Sequence, residues 1–140
     1  MTIPEIQEEI VEEFSLFDDW MQRYEYIIEL GKSLPLIDTQ YKTDDRLIKG
    51  CQSKVWVHAE LKEDKLVFTA DSDAIITKGI IAIVIRAFNH QKPRDIIEAD
   101  IGFIDVIGLK EHLSPTRANG LVSMIKQLKL YAVACQTQCN

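Results

Sequence analysis

The chain has 140 residues, with 16 Lys and Arg against 22 Asp and Glu, giving a formal net charge of −6 and a sequence pI near 5.0. At 46% hydrophobic and 27% charged residues it is one domain's worth of foldable chain, far from the composition of disordered segments. The acidic balance, with no basic stripe, speaks against binding nucleic acid through its phosphates, and the longest apolar run, residues 79–85, is far too short to span a bilayer.

Thr2 with Glu5 fits a capping box, and Ile3, Ile6, Ile10 and Phe14 recur at helical spacing, which predicts an amphipathic first helix. Glu5, Glu8, Glu9, Glu12 and Glu13 make this stretch the opposite of a basic signal or transit segment, so the expected compartment is the cytoplasm. Asp18 and Asp19 open a second helix, with Trp20, Tyr24, Ile27 and Ile28 on one face and Gly31 as its stop. Residues 43–54 are polar and read mostly as loop. Val55 to Leu61 reads as a strand, Lys62-Glu63-Asp64-Lys65 as a hairpin loop, and Leu66 to Thr69 as the returning strand. The next stretch, to Phe88, is β-branched enough for a buried strand but too long for one, and its apolar positions follow helical spacing. It is predicted as the central buried helix, started by Asp71-Ser72-Asp73. Residues 93–99 suit a short helix and residues 101–109 give mixed signals. Ser114 as N-cap and Pro115 at the first helical position open a last helix. The order predicts a single α+β domain over residues 1–140, a small antiparallel sheet packed with helices, ending in a flexible tail at 135–140.

Three cysteines, Cys51, Cys135 and Cys139, cannot all pair within the chain, so at least one is a free thiol. Cys51 follows Gly50 in a loop that also carries Arg46, Lys49 and Lys54, and neighbouring cations favour the reactive thiolate; it is the best nucleophile candidate. Cys135 and Cys139 are one helical turn apart, a spacing open to a metal or a labile disulfide, but frayed terminal residues are the simpler reading. His58, His90 and His112 show no metal-ligand spacing, and His58 reads as a solvated or hydrogen-bonded strand residue. The glycines form neither a phosphate-binding loop nor a dinucleotide fingerprint. Asp71, Asp73 and Arg117 are most simply helix-end residues, or charges that meet a partner.

The run Ile48-Lys49-Gly50-Cys51-Gln52-Ser53-Lys54-Val55-Trp56 closely resembles the SufE family of sulfur acceptors. Asp71-Ser72-Asp73-Ala74 with the following residues to Gly79, and Leu113 to Leu121, match two further family segments in order and spacing. The resemblance covers the chain to about Ala134 and leaves Cys135 and Cys139 outside it. It implies a fold shared with U-type iron–sulfur scaffolds. It also implies an acceptor role for Cys51, supported by Gly50, Gln52, Asp71, Asp73 and Arg117, with the cysteine sheltered until a partner docks. The implied partners are a SufS-type cysteine desulfurase and a Suf scaffold complex, with no nucleic acid and no membrane; a homodimer stays open. No cofactor or metal is expected on this chain, pyridoxal phosphate belonging to the desulfurase. Two other readings are a U-type cluster scaffold, which would need several convergent ligands, and a non-catalytic adaptor that activates the desulfurase by binding.

Overall fold

The computed structural model describes residues 2–51 and 53–139, those at 110 and 137–139 by backbone alone. Helix α1 (Ile3–Ser15) begins at the capping box foreseen in the sequence: the Glu5 N–H donates to Thr2 Oγ1 at 3.3 Å and the Thr2 N–H to Glu5 Oε1 at 3.0 Å. Helix α2 (Trp20–Gly31) is capped by Asp19, which accepts from the Gln22 N–H at 2.8 Å. The helix ends at Gly31, but the C-cap is Lys32 in right-handed backbone (φ −70°), so the glycine serves a close crossing and not a left-handed stop. Gly31 and Gly79 let α2 cross the central helix backbone to backbone, and a Cβ on Gly79 would fall 2.2 Å from the Ile27 carbonyl oxygen.

Strands β1 (Val55–Lys62) and β2 (Lys65–Ser72) pair antiparallel from Val55 opposite Ser72 to Lys62 opposite Lys65. The turn is the pair Glu63 and Asp64, both at positive φ (51° and 70°), the backbone a two-residue hairpin demands. The alternation sends Val55, Val57, Leu66, Phe68 and Ala70 into the core. The outer edge of β2 is covered: its Leu66, Phe68 and Ala70 N–H groups donate to Gln91 O, Asn89 Oδ1 and Pro35 O at 2.8–3.0 Å.

Helix α3 (Ile75–Phe88) lies at the centre, apolar on nearly every side as expected, with Gly79 to Ile85 buried without interruption. Its start corrects the sequence reading. Asp71 and Ser72 are still ladder residues of β2, and the N-cap is Ala74, which offers no side-chain hydrogen bond. The acidic triplet is therefore the end of a strand and a turn, because cross-strand pairing with Val55 and Trp56 outcompetes local capping. Short helix α4 (Pro93–Glu98) stands where one was expected, and α5 (Phe103–Val106) and α6 (Leu109–His112) resolve the mixed signals of residues 101–109.

Helix α7 (Pro115–Cys139) opens as foreseen, the Arg117 N–H donating to Ser114 Oγ at 3.3 Å. Where a tail was expected from residue 135, α7 continues as helix to Cys139, and Cys135 packs half-buried against the core. Burial of Leu121, Ile125, Leu128 and Ala132 on one face carries the helix past the point where an undocked end would fray.

Among the polar ties, Arg86 of α3 donates to Glu13 at 2.8 Å and to Glu9 at 2.7 Å on α1, and the Tyr26 hydroxyl of α2 also donates to Glu13. Burial, reinforced by Glu13, pushes the Tyr26 phenol up to about 12. No helix among the described residues is long and apolar enough to cross a membrane.

Candidate functional site

The loop between Ile48 and Val55 is pinned at both feet. The Ile48 N–H donates to the Val55 carbonyl at 2.9 Å, and Lys54 exchanges two bonds with Asp73, its N–H reaching Asp73 Oδ1 at 3.0 Å and its carbonyl accepting the Asp73 N–H at 3.2 Å. Between the feet the chain turns through Gly50, whose φ of +93° suits glycine alone. A Cβ there would also fall 2.5 Å from Ser123 Oγ, so the loop tip is pressed onto α7. That turn aims Cys51 inward.

Cys51 is a free thiol, half-buried, with its S–H directed at the Gly120 carbonyl oxygen at 3.6 Å. It shares a cavity of ≈ 60 Å³ with Ser53, with Thr77 and Ile80 of α3, and with Thr116, Arg117, Gly120 and Met124 of α7. Two helix starts therefore converge on the sulfur. Burial pushes the Cys51 thiol up, which reverses the expectation that loop cations would favour its thiolate. Arg46 is turned away, its guanidinium over the Tyr41 ring at 4.6 Å and its Nε donating to His58 Nδ1 at 3.3 Å, while Lys49 and Lys54 are exposed. Sequence proximity of charge did not become spatial proximity.

Of the other residues singled out in the sequence, Gly50 shapes the loop and Arg117 lies exposed on the cavity rim, with no ion pair among the described residues. Asp73 clamps the loop foot. Asp71 is not beside the thiol: it bonds Lys42 Nζ at 2.6 Å and faces Lys78 Nζ at 3.5 Å. Burial raises its carboxyl, but Lys42, the Ser72 N–H and Lys78 together outweigh this and hold it below the usual carboxylate range. Gln52 lies outside the described residues. His58 is the hydrogen-bonded strand residue foreseen, stacked on Tyr41 at 3.8 Å with Nε2 3.0 Å from Glu60, and it does not line the cavity. Thr77, Ile80 and Met124 were missed. Their only signal was the threonine at the third position of an isoleucine-rich helix start, just before Lys78.

A second, larger cleft of ≈ 1350 Å³ opens between α1, the end of α2, the second half of α3 and α4. Its arginine, Arg86, is already committed to Glu9 and Glu13, and it contains no cysteine.

The family model for SufE, described as an Fe-S metabolism associated domain, matches residues 8–132, which hold Cys51, its loop and every residue lining its cavity. The chain belongs to the SufE family. An uncharacterised SufE-like protein of Rhizobium meliloti (strain 1021) is 40% identical over 127 residues, covering 87% of this chain and 91% of the relative. One from Synechocystis sp. is 35% identical over 135 residues, covering 96% and 85%. The fold also matches the solution structure of a hypothetical protein from Thermus thermophilus, with a TM-score of 0.80 at 20% identity, covering 98% of this chain and 99% of that one. SufE membership ties the protein to iron–sulfur metabolism, and of its three cysteines only Cys51 falls within the family match.

Proposed function

We propose that this SufE-family protein is a sulfur carrier: Cys51 accepts sulfane sulfur from a cysteine desulfurase, stimulating that enzyme, and delivers it to an iron–sulfur cluster scaffold. The observation that carries this reading is the setting of Cys51, the one cysteine of the family segment, held on a glycine-turned loop in a small cavity between two helix starts. In the transfer step the Cys51 thiolate attacks the outer sulfur of the desulfurase persulfide. A new S–S bond forms to Cys51, the old one breaks, and the desulfurase cysteine leaves with the electron pair and takes up the proton that Cys51 lost. One thiol and one persulfide give one persulfide and one thiol, with no net oxidation.

The raised pKa and half-burial of Cys51 make the resting thiol a poor nucleophile, so transfer requires the loop to lift when a partner docks. Its pinned feet limit that motion to the tip. The exchange asks for no cofactor on this chain; pyridoxal phosphate would belong to the desulfurase. The test is intact mass after incubation with a SufS-type desulfurase and cysteine, in wild type and Cys51→Ser. Sulfur gained on the Cys51 peptide, and stimulation lost with Cys51→Ser, support the carrier. Stimulation that survives Cys51→Ser would establish a binding adaptor instead.

A further inference from the structure

Thr77 is the one buried polar residue in the described core, 6% exposed, and its hydroxyl makes no hydrogen bond among the described residues. No fully enclosed side-chain nitrogen or oxygen there lacks a partner, so this hydroxyl must keep a small accessible surface, and the cavity that Thr77 shares with Cys51 supplies it. The Thr77 hydroxyl is thus a donor without a protein partner on the lining of the cavity that also holds the Cys51 thiol. Thr77 is also the third residue of α3, a helix of 14 residues whose N-cap, Ala74, supplies no side-chain acceptor. The partial positive charge of that helix start therefore adds to the hydroxyl on the same side of the cavity.

The other wall is of opposite character. The Gly120 carbonyl oxygen accepts the Cys51 S–H, an arrangement that suits a neutral thiol and gives nothing to a negative sulfur. A persulfide differs in both respects. Its inner sulfur has no proton left to donate to Gly120, and its charge sits on the outer sulfur, which needs a donor. The cavity volume of ≈ 60 Å³ exceeds the roughly 10–15 Å³ that one water needs in a cavity, so it has room for one further sulfur atom beside Ile80 and Met124.

We propose that the outer sulfur of a Cys51 persulfide seats in this cavity, with the Thr77 hydroxyl as its hydrogen-bond donor. This deepens the carrier reading and rests on it for its biological use, but the seat itself is independent of which partner loads the sulfur. Thr77 thus distinguishes loaded from unloaded protein: idle beside the thiol, it is engaged once the second sulfur arrives. It lowers the pKa of the persulfide without lowering that of the thiol, and it shields the loaded sulfur from small thiols.

The test loads sulfur chemically, with inorganic polysulfide, so that its failure is separate from any failure of the desulfurase to transfer. A Cys135→Ser, Cys139→Ser background confines loading to Cys51. Alkylation of the persulfide is followed by mass against pH, together with its lifetime in dithiothreitol, for the background protein, Thr77→Val and Thr77→Ser. Valine keeps the shape and removes the donor; serine keeps the donor in a smaller side chain. The expected result is a midpoint raised by about one pH unit and a lifetime shortened about tenfold in Thr77→Val, the scale of one hydrogen bond to a charged group. Thr77→Ser should stay near the background values, and the alkylation midpoint of unloaded Cys51 should not move between the three. An unchanged persulfide midpoint in Thr77→Val, an equal shift in Thr77→Ser, or an equal shift of the unloaded thiol each overturns the proposal, as does failure of polysulfide to load Cys51 at all. Sulfur that loads from polysulfide but not from the desulfurase would sink the carrier reading and leave the seat standing.

Discussion

Gly120 lies so close over Cys51 that a Cβ built on it would sit 3.3 Å from Sγ. The absence of a side chain on α7 is what lets the thiol reach the Gly120 carbonyl and share a cavity with α3. Adding a methyl there crowds the sulfur, while alanine inside a helix is favoured over glycine by roughly 0.5–1 kcal/mol. Gly120→Ala is therefore expected to alkylate at Cys51 several-fold faster than wild type at the same pH, with stability changed by no more than about 1 kcal/mol. Unchanged or slower alkylation would show that Gly120 does not hold the thiol in.

The loop tip depends on Gly50 for two separable reasons, its φ of +93° and its contact with Ser123. Backbone strain of this kind costs a non-glycine residue roughly 1–3 kcal/mol, and the clash adds to it. Gly50→Ala should lower unfolding free energy by about 2–4 kcal/mol in urea titrations. In a Ser123→Ala background the cost should fall by about 1 kcal/mol, since the hydroxyl is gone and the φ is not. Strict additivity of the two substitutions would locate the whole cost in the backbone.

Asp73 and Asp71 were paired in the sequence as helix-start acids, yet they do different work. Asp73 clamps Lys54 at the foot of the Cys51 loop, whereas Asp71 holds Lys42 and Lys78 away from it. Loss of one such bond costs about 1 kcal/mol, which is about a fivefold change in the population of an opened loop. Asp73→Ala should thus raise the alkylation rate of Cys51 about fivefold, and Asp71→Ala should leave it near wild type. The reverse order would place the hinge elsewhere.

The elements that were legible were those whose signal is local. The Thr2–Glu5 box, the Asp19 cap and the Ser114-Pro115 start each depend on residues three or four apart, and each stands in the structure. The Cys51 loop was legible because glycine, cysteine and small polar residues cluster in one run. What was not legible depends on distant pairing. Asp71 looks like a helix cap until Trp56 pairs with it, and Arg46 looks like a neighbour of Cys51 until Tyr41 and His58 draw it off. The cavity joins residues 51, 77 and 124, which no spacing rule connects. Cys135, expected to fray, is held by the face of α7 that packs on the core.

The Arg86 cluster makes part of the fold's stability depend on pH in the acid range. Glu13 is held below the usual carboxylate range chiefly by its hydrogen bond from Arg86. A carboxyl whose folded pKa is depressed contributes stability above its unfolded value, about 4.3, and loses it as the pH falls through the lower folded value. Arg86→Gln should cost about 2 kcal/mol at pH 7, discounted because both partners are nearly a third exposed. The difference from wild type should shrink steadily as the pH falls below that unfolded value and Glu13 takes up its proton in both proteins. A difference independent of pH would mean that Arg86 contributes by packing alone.

Arg117 is the cation that helix physics does not explain. It stands in the first turn of α7, where the helix dipole disfavours positive charge, and among the described residues it has no ion pair to offset this. It lies on the rim of the Cys51 cavity, exposed to whatever docks there. Removing it should leave stability within about 0.5 kcal/mol, as for most surface positions, or slightly improve it. Its planar guanidinium can grip a partner carboxylate in two bonds or face a negative sulfur, and lysine offers only a point charge. Arg117→Ala is therefore expected to reduce sulfur transfer from the desulfurase several-fold at limiting concentration, with Arg117→Lys recovering part of it. Thermal unfolding should coincide with wild type for both variants. Normal transfer at limiting concentration in Arg117→Ala would reduce this residue to an ordinary exposed arginine, and a parallel loss of stability would assign it to the helix start instead.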